Sequence, residues 1–210
     1  MIDLYTWATP NGRKVSIMLE ELGLPYNVIE VNISQGEQHS PAFLEISPNN
    51  RIPAIVDPDG PDGKPISVFE TGAILVYLAE KTGSDLLPKG GRERVATFEW
   101  LMWQMGGVGP MFGQAHHFMF KPKEVVPYGQ KRYHDETKRL YMVMNDRRLH
   151  KNDYLAGDFY SIADIAVYPW VSRHERHEVD LNEFPNVKRW FDNISKREAV
   201  QKGMAVPFAN

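Results

Sequence analysis

An α/β domain followed by an all-α domain is the fold class that three observations on this 210-residue chain predict. Segments of strand-like composition are confined to the first 68 residues. Apolar residues at helical spacing dominate from residue 92 onward. Between the two regimes, Pro88, Gly90 and Gly91 crowd a short stretch with the composition of a linker. The expected division is a first domain at 1–84, a linker at 85–91 and a helical domain at 92–210.

The elements of the first domain follow in order. Ile2, Leu4 and Tyr5-Thr6-Trp7 read as a strand that stops at the breaker cluster Thr9-Pro10-Asn11-Gly12. Val15, Met18, Leu19 and Leu22 then lie at i, i+3, i+4 and i+7, the stripe of an amphipathic helix, which Gly23 and Pro25 end. Tyr26 to Val31 is a second strand, so the chain opens with a strand, helix, strand unit whose strands are expected to run parallel. Pro41 to Ile46 reads as one or two helical turns. Ile52 to Val56 and Pro65 to Val68 are two further strands, joined by the turn-rich Asp57-Pro58-Asp59-Gly60 stretch. Glu70-Thr71-Gly72 starts a helix carrying Ile74, Leu75, Leu78 and Ala79. This order of elements is that of a thioredoxin-like domain.

In the second domain, Val95, Phe98, Met102 and Met105 form the expected apolar stripe of a helix from Arg92 to Met105. A second long helix is expected from Tyr128 to Leu149, with Leu140, Tyr141 and Met144 among its apolar positions. Ser161-Ile162-Ala163-Asp164 has the form of a capping box ahead of the apolar stretch Ile165 to Val171. Pro185 to Ile194 and Lys196 to Met204 complete the helical half.

The chain contains no cysteine. That excludes disulfide frameworks, thiolate metal sites, iron–sulfur clusters and any enzyme whose nucleophile is its own thiol. A formal net charge of −3 argues against a nucleic-acid partner, which normally requires a basic excess. The start of the chain lacks the basic residues and long apolar run of a signal peptide, and the longest clean apolar run, Ala73 to Ala79, is far too short to span a bilayer. No membrane association and a cytoplasmic location are expected.

Four separated stretches resemble the cytosolic glutathione transferases: Thr9-Pro10-Asn11-Gly12, Asn50-Arg51-Ile52-Pro53-Ala54-Ile55, Glu70-Thr71-Gly72-Ala73-Ile74 and Ser161-Ile162-Ala163-Asp164-Ile165-Ala166. Ile46-Ser47-Pro48-Asn49-Asn50, Gly106-Gly107-Val108-Gly109-Pro110-Met111 and His116-His117-Phe118 narrow the likeness. They resemble the bacterial Nu-class members, disulfide-bond oxidoreductases related to the yeast nitrogen-regulator prion protein. The resemblance implies that one or two glutathione molecules, or glutathione disulfide, serve as co-substrate, with no permanently bound cofactor. It also implies a homodimer and a small disulfide or electrophile as the second substrate.

A free thiol has a pKa of about 8.5, and lowering it by about two units takes roughly 2.7 kcal/mol of preferential anion stabilisation. Two or three hydrogen-bond donors at a helix N-terminus supply that. Thr9, through its hydroxyl, and Asn11, through its amide and backbone N–H, are the catalytic candidates. Neither is a base at neutral pH, so they would stabilise a thiolate rather than abstract its proton. Tyr5 falls inside the strand and reads as a core residue.

For the tripeptide itself, the resemblance assigns a cis Ile52–Pro53 bond, with the Ile52 backbone pairing with the cysteinyl unit. Glu70 would meet the γ-glutamyl ammonium and Thr71 its carboxylate, with Gln38 at the glycyl end. Arg132 matches an arginine that reaches a glutathione carboxylate. A general transferase conjugating electrophiles and a non-catalytic binding module of the same fold are the alternatives.

Three constellations carry no such chemistry. His174-Glu175-Arg176-His177 spaces its histidines at i and i+3, unlike a zinc protease helix, and reads as a solvated polar stretch. His116-His117 reads as packing, and Gly106-Gly107-Val108-Gly109 as a place where a helix loosens, because no strand precedes it. Trp100, Met102, Trp103, Met105 and Met111 are expected in the core or at a dimer interface.

Overall fold

A computed structural model describes residues 1–207. The first unit opens with β1 (Ile2–Thr6), α1 (Pro10–Glu21) and β2 (Tyr26–Glu30). It continues through α2 (Pro41–Leu44), β3 (Ala54–Asp57), β4 (Ile66–Phe69) and α3 (Thr71–Thr82). The strands form one sheet in the order β2-β1-β3-β4, with β1 and β2 parallel and both other pairs antiparallel. Alternation sets the inward face of β1, where Ile2, Leu4 and Thr6 are buried. The thioredoxin-like reading of this half is confirmed.

The second unit, Pro88–Ser195, is helical. It holds α4 (Gly91–Trp103), α5 (Gly109–Met119), α6 (Pro127–Met142), α7 (Ile162–Val171) and α8 (Pro185–Ser195). The expected loosening at the glycines is present, since Gln104–Val108 is a π-helical stretch between α4 and α5. The capping box is also formed, with Ser161 accepting from Ala163 N and Asp164 reaching back to Ser161 N.

The apolar stripe counted in α4 is not its most buried face: Val95 is 60% and Met102 52% exposed, and Phe98 and Met105 are half-buried. The buried face carries Thr97, Leu101, Gln104 and Val108 instead. Thr97 is accommodated because its hydroxyl donates to Glu93 O at 2.8 Å, a side-chain contact that apolar counting overlooks. His177 is fully buried rather than solvated, with its ring 5.1 Å from that of Phe112. Burial, reinforced by the nearby His116 and Arg173, pushes its pKa down to about 3, so it packs as a neutral ring.

The last helix, α9 (Glu198–Ala205), does not extend the helical half. Residues 196–207 belong to the first unit together with Met1–Leu87. Gly203 makes that return possible: a Cβ there would lie 2.5 Å from the Ile17 backbone of α1. Ser16 Oγ donates to Gly203 O at 2.7 Å, and Arg197 clasps Glu21 with two contacts of 2.7 and 2.8 Å.

Candidate functional site

Strand register determines what meets at one end of the sheet. Tyr5 of β1 is opposite Ala54 of β3, and Ala54 is opposite Phe69 of β4. The chain leaving β1 toward Thr9, the Ile52–Pro53 dipeptide entering β3 and the Glu70–Thr71 dipeptide leaving β4 therefore all emerge from the same end. Thr6 is opposite Glu30, so the segment that leaves β2 toward Gln38 starts there as well. Seven of the eight residues singled out from the sequence thus belong to loops and helix starts of one sheet end in the first unit.

Thr9 is the N-cap of α1, with extended backbone at φ −119°, and Pro10 follows at the helix start. Its hydroxyl oxygen accepts from Gly12 N at 3.1 Å. A hydroxyl has one donor and two acceptor sites, so this cap orients Oγ1 while leaving its hydrogen to be donated elsewhere. Asn11 lies in the first turn, two residues earlier than the apolar stripe suggests the helix begins. Gly12 is required by the close approach of the turn to β1, since a Cβ there would lie 2.3 Å from Thr6 Oγ1 and 2.5 Å from Trp7 O.

The Ile52–Pro53 bond is cis. The ladder of β1 and β3 begins at Ala54, which leaves Ile52 outside the sheet pairing. The Ser47 hydroxyl donates to Arg51 O at 2.9 Å and fixes the loop just before it.

Glu70 occupies the N-cap position of α3 with φ 69°, uncommon for a residue with a side chain. Such a conformation costs about 1–3 kcal/mol and persists where the surroundings impose it. The side chain makes no capping bond. It is exposed, and Asn49 Nδ2 donates to its Oε1 at 3.5 Å. Thr71 is 7% exposed and accepts a hydrogen bond at Oγ1 from Lys14 Nζ at 3.3 Å.

Gln38 is half-buried, with its amide nitrogen 3.2 Å from His39 Nε2 and its Oε1 enclosed without a hydrogen-bond partner. Tyr5 packs its ring against Phe43 at 6.2 Å, in a small core cluster with Val31 and Ala54.

Arg132 lies in the second unit. It is exposed on α6 and lines a cavity of about 650 Å³ with Met111, Tyr128, Tyr133, Glu136 and Arg139. Glu136 is engaged by Arg139 through two contacts of 2.7 Å, and Arg132 forms no ion pair among the described residues.

Lys14 is the residue that periodicity passed over. It reads as part of the polar face of α1, yet it is 2% exposed. The signal was available: Lys14 stands three residues after Asn11 and four before Met18, on the helix face that carries both the turn and the core.

A cis-proline strand entry, an acidic-threonine helix start and a polar first turn thus stand at one end of a thioredoxin-like sheet, in a chain whose second unit is helical. The chain belongs to the glutathione S-transferase family, whose N-terminal domain matches residues 8–81 and whose C-terminal domain matches residues 108–198. It is 51% identical over 205 residues to the disulfide-bond oxidoreductase YfcG of Escherichia coli (strain K12), covering 97% of this chain and 94% of that protein. Two solved structures are similarly near. A glutathione transferase from Pseudomonas putida, with one glutathione disulfide bound per subunit, has a TM-score of 0.92 at 46% identity, over 98% of this chain and 91% of that one. One from Burkholderia graminis, with two glutathione molecules bound per subunit, has a TM-score of 0.92 at 46% identity, over 100% of this chain and 89% of that one. No helix among the described residues is long and apolar enough to cross a membrane.

Proposed function

We propose that the protein is a glutathione-dependent disulfide-bond oxidoreductase. The observation that carries this reading is a thiolate cradle in a chain with no thiol of its own: Thr9 Oγ1 is oriented by Gly12 N–H with its hydrogen left to donate, and the sequence has no cysteine. Thr9 and Asn11 hold the sulfur of glutathione as thiolate. That thiolate attacks one sulfur of a disulfide, forming a mixed disulfide and releasing the other half as a thiolate that takes up a proton. A second glutathione thiolate attacks the glutathione sulfur of the mixed disulfide. Glutathione disulfide leaves, and the substrate has become two thiols. The names of the relatives support this order of chemistry, as does the glutathione disulfide held by the Pseudomonas putida protein.

Around the sulfur, Ile52 pairs with the cysteinyl backbone beside Pro53, Glu70 and Thr71 hold the γ-glutamyl end, and Gln38 meets the glycyl end. Arg132, exposed on α6 and in no ion pair among the described residues, offers a bidentate anchor for a carboxylate of a second glutathione. The outward apolar residues Val95 and Met102 of α4 favour a homodimer. A cytoplasmic setting, reducing and rich in glutathione, fits a protein that borrows its thiol.

The test is reduction of hydroxyethyl disulfide by glutathione, with and without prior treatment of the protein by iodoacetamide that is removed before glutathione is added. Equal turnover in both samples is expected. Failure to reduce the disulfide, together with failure to bind glutathione disulfide, would overturn the reading in favour of a non-catalytic module.

A further inference from the structure

The geometry points to Lys14 as a positioning residue for the γ-glutamyl end of glutathione: its buried ammonium fixes the Thr71 hydroxyl and supplies the positive charge that a bound α-carboxylate meets. The inference rests on the function proposed above and deepens it. A lysine that is 2% exposed places its amine where charge is costly.

Three observations define what the lysine does. Its Nζ donates to Thr71 Oγ1 at 3.3 Å. That bond occupies one acceptor site of the hydroxyl and ties the Thr71 side chain to α1. Thr71 is the first residue of α3, where a helix N-terminus already favours an anion. Glu70, next to it, is the carboxylate whose charge acts on Lys14. The start of α3 is therefore served by one basic side chain, Lys14 on Thr71, and one acidic side chain, Glu70, the complement of an amino acid's carboxylate and ammonium. A γ-glutamyl group set with its carboxylate toward Thr71 and Lys14, and its ammonium toward Glu70, matches both.

Burial lowers the pKa of Lys14 to about 7, with Glu70 opposing part of that shift. Of the other charged groups on elements packed against α1, Asp3 of β1 accepts from Asn27 Nδ2 at 2.9 Å, Glu80 belongs to α3, and the rest are engaged in ion pairs. Arg197, just before α9, pairs with Glu21 at the far end of α1, Glu198 pairs with Lys202, and Lys81 of α3 pairs with Asp57. A carboxylate arriving beside Lys14 raises its proton affinity, so binding at mildly alkaline pH draws in a proton. Lys14 thereby makes glutathione affinity fall as pH rises above the free-state value.

The experiment uses S-methylglutathione, which has no thiol proton to confuse the count. Its binding to the full chain is followed by calorimetry at about pH 8 in two buffers of different ionisation enthalpy. The expected result is uptake of most of a proton in the wild-type protein and its loss in Lys14→Met. In disulfide reduction, Lys14→Met is expected to raise KM for glutathione about tenfold or more while kcat at saturation stays within about twofold; Lys14→Arg restores KM in part. A glutathione analogue with 4-aminobutyrate in place of the γ-glutamyl unit, lacking the α-carboxylate, is expected to show the same KM in wild type and Lys14→Met.

Binding of S-methylglutathione by the wild-type protein without proton uptake overturns the inference, even if Lys14→Met does not fold, and leaves the proposed function standing. An equal rise in KM for the analogue overturns it also. Absence of any binding heat counts against the glutathione site itself and removes both readings.

Discussion

Thr9→Ala is expected to lower kcat/KM for glutathione-dependent disulfide reduction by about 10- to 100-fold, the loss of one charge-assisted hydrogen bond of about 1.5–3 kcal/mol. The same change is expected to raise the pKa of bound glutathione toward the free value of about 8.5, read from the ultraviolet absorbance of the thiolate as pH is varied. Thr9 has two roles in the proposed site, because its oxygen caps α1 through Gly12 N at 3.1 Å while its hydrogen is left to be donated to the thiolate of glutathione. Truncation therefore also costs about 1 kcal/mol of cap energy. Thr9→Ser separates the two: it keeps the donor and the cap, and is expected to retain most activity and stability. Thr9→Ala with an unchanged rate would transfer the donor role to Asn11, the other polar group of that turn.

The legibility of this molecule in its sequence follows from what each kind of signal counts. Period-two alternation found β1 because Ile2, Leu4 and Thr6 face a core that only they can fill. Breakers found the site turn, since Thr9-Pro10 and Gly12 are dictated by local backbone needs. The capping box at Ser161 and Asp164 was readable for the same reason. Apolar periodicity failed where a helix buries polar residues or carries apolar residues on two faces. Across α4 and the π-helical stretch after it, Thr97 and Gln104 are buried while Val95 and Met102 are exposed, so the counted apolar stripe does not mark the buried face. Lys14 and His177 were missed alike, because a charged or polar type was equated with exposure although neighbouring elements cover it. The return of α9 to the first unit depends on Gly203 meeting Ile17, a contact between distant residues that no local pattern encodes. The site residues themselves were legible through resemblance more than through physics. Glu70 looks like an ordinary cap in sequence, and only the structure reveals that its side chain caps nothing.

Asp164→Ala is expected to give the largest loss of stability in the helical unit. The carboxylate is fully buried and accepts four hydrogen bonds: from Leu155 N at 2.9 Å, Ser161 N at 3.0 Å, Ser161 Oγ at 3.1 Å and Trp190 Nε1 at 2.8 Å. These donors belong to the loop before α7, to the cap of α7 and to α8, so one side chain joins three segments. Burial pushes its pKa up to about 6 against the four bonds, which still leaves the group ionised at neutral pH. Alanine removes the acceptor and abandons buried N–H groups, each at about 1–3 kcal/mol. A total loss of about 4 kcal/mol or more is expected, a large share of the ~5–15 kcal/mol that holds a typical domain together. Urea unfolding followed by tryptophan fluorescence measures it directly, because Trp190 is itself one of the donors. Asp164→Asn keeps one carbonyl acceptor and replaces the other oxygen with a donor that faces other donors, so it is expected to fall between the two. A loss below about 1 kcal/mol for Asp164→Ala would mean that the four contacts are net neutral against the cost of burying the charge, and that packing alone positions α7.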